Sequence, residues 1–82
     1  MKTFRIAVPF EYAGENYSVT AEIDVPLEGA AATRFYDVQK GLGNRRWEPV
    51  DLEWFLSQLD KHDRWALEQM FLTRVAEAQH AA

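Results

Sequence analysis

The first 25 residues alternate. Phe4, Ile6, Val8, Phe10 and Tyr12 take every second position, with Thr3, Arg5, Ala7, Pro9 and Glu11 between them, the period of two expected of a strand that buries one face. Ala13-Gly14-Glu15-Asn16 has turn chemistry, after which Tyr17, Val19, Ala21, Ile23 and Val25 resume the alternation against Ser18, Thr20, Glu22 and Asp24. Two such runs about a turn predict an antiparallel hairpin with one apolar face. Pro9 has no N–H to give a ladder, which places the first strand at a sheet edge or gives it a bulge there, and Pro26 closes the second.

The segment Leu27–Thr33 is small and flexible, with Gly29 and three alanines. The aromatic run Arg34-Phe35-Tyr36-Asp37-Val38-Gln39 predicts a third strand. Lys40-Gly41-Leu42-Gly43-Asn44 has the composition of a turn, and Arg45–Glu48 is either a short fourth strand or a lead-in to a helical region, ended by Pro49.

From Asp51 the period changes. Asp51 is a favourable N-cap, and Leu52, Phe55, Leu56 and Leu59 come at i, i+3, i+4, i+7, the stripe of a helix buried on one side. Extending that stripe would bury His62 and Asp63. Asp60 followed three residues later by Asp63 instead resembles a capping box, so the helix breaks at Asp60. A second helix from Lys61 to about Ala78 presents Leu67, Met70, Phe71, Val75 and Ala78, with an alanine-rich end after Glu77 expected to fray. The fold class is α+β: a hairpin-led antiparallel sheet of three or four strands over residues 3–48, packed against a helical pair over 52–59 and 61–78.

Composition narrows what this fold is for. At 82 residues there is room for one domain only, and an apolar fraction of 48% supports a core. The net charge of −4 opposes tracking along a phosphate backbone, so nucleic-acid binding by this chain alone is disfavoured. No cysteine is present, which removes disulfides and thiolate chemistry and fits a reducing compartment. Met1–Ile6 has no leader-like apolar region and no run approaches a membrane span, so a cytoplasmic location is the expectation.

Candidate chemistry is sparse. Neither Ser18 nor Ser57 lies in a Gly-x-Ser-x-Gly elbow, and His62 and His80 lack the spacing of zinc ligands. Gly41-Leu42-Gly43 lacks the third glycine of a nucleotide loop. Asp51 with Glu53 and Asp60 with Asp63 are explained as helix-start carboxylates. No cofactor or metal is expected.

Two clusters remain. Lys40, Arg45 and Arg46 beside Trp47, with Arg34 across the turn, form a basic and aromatic group that could hold a phosphate or anchor a protein. On the helices, Trp54 points away from the Leu52–Leu59 stripe, while Trp65 and Leu72, seven residues apart, form a second apolar ridge. Either the chain folds over these side chains, the 27–48 segment covering Trp54 and the other helix covering Trp65, or they are a contact surface. Such a surface would serve a homodimer or a larger protein.

The order of a hairpin ending in Ala21-Glu22-Ile23-Asp24-Val25-Pro26, a third strand, and Pro49-Val50-Asp51-Leu52 leading into Phe55-Leu56 and two helices resembles small uncharacterised phage and prophage proteins. The resemblance implies a bacterial or phage context and carries no catalytic residues. Proteins of that kind often bind a host complex, as anti-CRISPR and nuclease-inhibitor proteins do. The expectation is a non-enzymatic interaction module anchored by Trp54, Trp65 and Leu72, with Arg45, Arg46 and Trp47 as a second patch. The alternative is a small regulator touching nucleic acid through Lys40, Arg45, Arg46 and Trp47.

Overall fold

A computed structural model describes residues 2–80. The elements run β1 (Lys2–Tyr12), β2 (Glu15–Val25), β3 (Ala32–Gly43), β4 (Arg46–Val50), α1 (Leu52–Gln58) and α2 (Lys61–His80). The four strands form one antiparallel meander in chain order, with β1 and β4 at its edges. This is an α+β fold with both helices C-terminal: α1 packs against β3, and α2 against β1 and β2. The last helix continues to His80, and the two alanines after it lie outside the described residues.

The two tight hairpins arise from local chemistry. Tyr12 pairs with Glu15 across a two-residue loop, Ala13-Gly14, in which both residues have positive φ (52° and 80°), the backbone of a type I′ turn. The turn is therefore shorter than Ala13–Asn16, and β2 starts at Glu15. The β3–β4 hairpin also closes through two left-handed residues, Asn44 and Arg45, with φ of 51° and 62°, but next to a bulge in β3. This corrects the expectation of a turn over Lys40–Asn44. The strand continues to Gly43, itself left-handed at φ 84° beside a register shift at Leu42, and Asn44 and Arg45 make the two-residue turn.

Pairing places Phe4, Ile6, Val8 and Phe10 opposite Ile23, Ala21, Val19 and Tyr17, all toward the helices. β3 departs from strict alternation. Thr20 pairs with Asp37 but Ala21 with Phe35, so Tyr36 is the extra residue of a bulge. The bulge lets Phe35 and Val38 both face the helices while Tyr36 turns to the opposite face, where the Arg5 guanidinium sits 4.2 Å from its ring centre. Pro49, expected to end the fourth strand, lies inside it opposite Gln39. An edge strand tolerates this because one of its sides has no partner to bond.

The core comprises Val8, Tyr17, Val19, Ala21, Ile23, Val38, Phe55, Leu59, Leu67, Phe71 and Val75. Phe55 packs on Tyr17 at 4.8 Å between ring centres, and Phe71 meets Phe35 edge-on at 6.0 Å. Each fully buried side chain of this size contributes roughly 1.5–3 kcal/mol. Asp51 caps α1 by accepting from the Trp54 amide, and Tyr12 donates its hydroxyl to the Gln58 carbonyl at 2.7 Å, tying the end of β1 to the end of α1. At the start of α2, Asp63 N–H donates to Asp60 Oδ1 at 2.7 Å and Asp60 N–H to Asp63 Oδ2 at 3.5 Å, the reciprocal box expected from the sequence.

Candidate functional site

The helical layer uses one side of each helix for the sheet and leaves the rest to solvent. On α1 Phe55 is buried, as is Leu59 just past its end, and Leu52 and Leu56 are half-buried, whereas Trp54 stays 51% exposed. Its backbone is fixed all the same, because its amide is held by the Asp51 cap and its carbonyl accepts from the Ser57 hydroxyl at 2.7 Å. On α2, Leu67, Phe71 and Val75 are buried, Trp65 is 59% exposed and Leu72 is also exposed. At 100° per residue, Trp65 and Leu72 lie about 20° apart around the helix and about 100–120° from Phe71. Met70 and Arg74 occupy the opposite flank, beside Val8 and Pro9 of β1. Trp65 and Leu72 therefore line the flank of α2 that is turned away from the β1 edge.

The strands that come after Leu27 are engaged in the sheet and do not fold over Trp54, and α1 does not cover Trp65. Ring stacking brings Trp65 together with His62, at 6.3 Å, and not with Trp54. Trp54 and the Trp65–Leu72 line are two exposed apolar features on neighbouring helices.

The basic cluster comes apart in the structure. Trp47 pairs with Gly41 and Glu48 with Lys40, so Lys40 and Trp47 point to opposite faces of the sheet. Lys40 also pairs with Glu15 at 3.8 Å. Arg34 lies ten residues before the hairpin tip, about 30 Å away at the rise of a strand, and is held by Asp24 at 3.2 Å and Glu22 at 4.0 Å. Arg45, in the turn, and Arg46, at the start of β4, remain at the tip with no ion-pair partner among the described residues. The Trp47 ring lies over Gly41, where a Cβ would stand 3.4 Å from it, and is 50% exposed. The patch is reduced to Arg45, Arg46 and Trp47.

Sequence reasoning missed the exposure of Tyr36 and Leu42, which the bulge and the extended β3 create. It also missed an apolar groove of about 390 Å³ between the β1 edge and α2, lined by Val8, Pro9, Gln69, Met70, Thr73 and Arg74. A signal was available in the pairing of a proline-bearing edge strand with a Met and an Arg one turn apart on α2.

Among the described residues no polar or charged side chain is buried, and no three His, Asp or Glu side chains converge as metal ligands. The Asp60 carboxyl titrates below its usual 3.8, first because it accepts from the Asp63 amide. No described helix is long and apolar enough to cross a membrane. No protein-family model, characterised protein or solved structure matches the chain.

Proposed function

We propose that the chain is a non-enzymatic interaction module that engages a larger protein through Trp54, Trp65 and Leu72. One observation carries the reading: the core closes without any of the three tryptophans, and each is half exposed or more. Holding Trp in water forgoes the largest burial gain a side chain offers, and Trp is the residue most enriched where partners bind tightly. In the phage or bacterial context suggested by resemblance, the module acts by occupying a surface of a host defence or nuclease complex. Contact with nucleic acid through Lys40, Arg45, Arg46 and Trp47 is the weaker reading. Two cations beside one ring offer little against a net charge of −4.

The test uses wild type and the Trp54→Ser/Trp65→Ser double variant as baits, followed by calorimetry with the purified prey. A prey bound by wild type and weakened at least about 30-fold by the double variant, with circular dichroism unchanged, supports the reading. Equal affinity of both baits for every prey refutes it.

A further inference from the structure

The β1 edge is built differently from the aromatic surface. Because Tyr12 and Glu15 close a two-residue type I′ hairpin and β1 pairs with β2 without a register shift, the even-numbered residues of β1 bond to β2. The main-chain groups of Thr3, Arg5, Ala7, Pro9 and Glu11 point outward. The structure thus leaves an 11-residue edge strand unpaired, the arrangement natural sheets usually cover or blunt. Pro9 blunts one point on it, where it removes a donor. Toward the helices the edge is apolar but incompletely covered: Phe4, Ile6 and Phe10 are half-buried. Beneath it run the Val8–Met70 groove and its continuation past Ile6, Arg74, Glu77 and Ala78.

We propose that β1 of a second copy completes this edge, antiparallel and centred on Ile6, joining two four-stranded sheets into one of eight. Three features bear on that partner: the first narrows the register, and the other two select Ile6. The first is Pro9. Centred on Ile6, the strands place Arg5 opposite the partner's Ala7 and Thr3 opposite the partner's Pro9, which gives about six main-chain hydrogen bonds and keeps both prolines at the ends. Centring on Val8 puts Pro9 next to the axis and centring on Arg5 sets the two arginines against each other, while between Ile6 and Ala7 each register loses the same two proline donors and the choice rests on the charge and volume below.

The second is charge. α2 runs antiparallel to β1, since Met70 lies beside Val8 and Ala78 beside Ile6. A two-fold axis through Ile6 therefore brings the two α2 flanks together head to tail at Arg74 and Glu77. Both side chains are exposed, and neither has an ion-pair partner among the described residues. The axis sets each Arg74 against the partner's Glu77, twice over, a self-complementary pattern. Helices seated over β1 and β2 would then stand about 10 Å apart, an ordinary packing distance.

The third is volume. In this register Phe4 stands opposite the partner's Val8 and on the helix side of the sheet, at the mouth of the partner's groove. At about 390 Å³ that groove has room for a phenyl ring, so the half-buried Phe4 fills it.

This contact is independent of the tryptophan surface, and its test separates the two. Solution mass by light scattering is measured up to about 100 µM for wild type, Ala7→Pro, Arg74→Glu, the Arg74→Glu/Glu77→Arg double variant and Trp65→Ser. The wild type is expected to be a dimer. Ala7→Pro removes outward donors at the centre without touching the β1–β2 ladder, and should give a folded monomer. Arg74→Glu should weaken the dimer at least about tenfold, and the double variant should restore it. Trp65→Ser should leave it intact. A monomeric wild type overturns the proposal. So does a dimer that survives Ala7→Pro, one that the charge exchange fails to restore, or one that is lost on Trp65→Ser.

Discussion

Replacing Trp65 by Ser separates a contact residue from a core residue. Truncating a fully buried large aromatic costs about 3–5 kcal/mol. Trp65 is 59% exposed, so about two-fifths of that term is at stake, and part of it is the His62 ring at 6.3 Å. The expected loss is about 1–2 kcal/mol. Phe71 gives the contrast: fully buried and met edge-on by Phe35 at 6.0 Å, it should cost the full 3–5 kcal/mol on replacement by Ala. An 82-residue domain has a total stability of about 4–12 kcal/mol. Trp65→Ser should therefore remain folded with a midpoint lowered by roughly 4–16 °C, while Phe71→Ala removes at least about a quarter of the total stability. Urea denaturation followed by circular dichroism measures both. A Trp65→Ser loss of 3 kcal/mol or more, matching Phe71→Ala, would place Trp65 in the core and remove the basis for a contact surface.

Three further outcomes rest on single residues or on the tryptophans together. Ala13 holds φ of 52°, a region costly for a side chain with Cβ and suited to Asn or Gly; Ala13→Asn should raise stability by about 0.5–1 kcal/mol in thermal unfolding, and a loss would refute the type I′ assignment. The Asp60 carboxyl is held below 3.8 by the Asp63 amide. Its contribution is then complete above that unfolded value and drains as the pH falls through the folded one, so the protection factor of the Asp63 amide, its exchange rate relative to an unprotected amide at the same pH, should fall in acid, and Asp60→Asn, still a good cap, should flatten that dependence. Because all three tryptophans are half exposed, native tryptophan emission should lie close to that of the unfolded chain and be quenched by acrylamide; strongly blue-shifted emission would contradict the exposure on which the proposed function rests.

Much of the fold was legible in the chain because its signals are local. The period of two in residues 3–25, the change to 3.6 after Asp51 and the Asp60–Asp63 box each express a backbone preference within a few residues, and each appears in the structure. The failures were at β3 and β4. A bulge at Tyr36 interrupts the alternation, and glycines at 41 and 43 imitate a turn while serving as strand residues, one of them under the Trp47 ring.

By itself the sequence determined the fold class, the polarity of each face and the fact that Trp54 and Trp65 lie off the apolar stripes of their helices. Only the tertiary structure decided which charges meet. Arg34 and Lys40 were drawn away to carboxylates on β2, dissolving a cluster that contiguity in the chain had suggested, while Arg46 kept no carboxylate partner among the described residues. It alone also set Val8 beside Met70 and Ile6 beside Arg74 and Ala78 along an open edge. Periodicity tells which side of an element is apolar, but strand order and the seat of a helix on the sheet are settled by packing between residues some 60 positions apart, and a surface for a partner is defined by what that packing leaves uncovered.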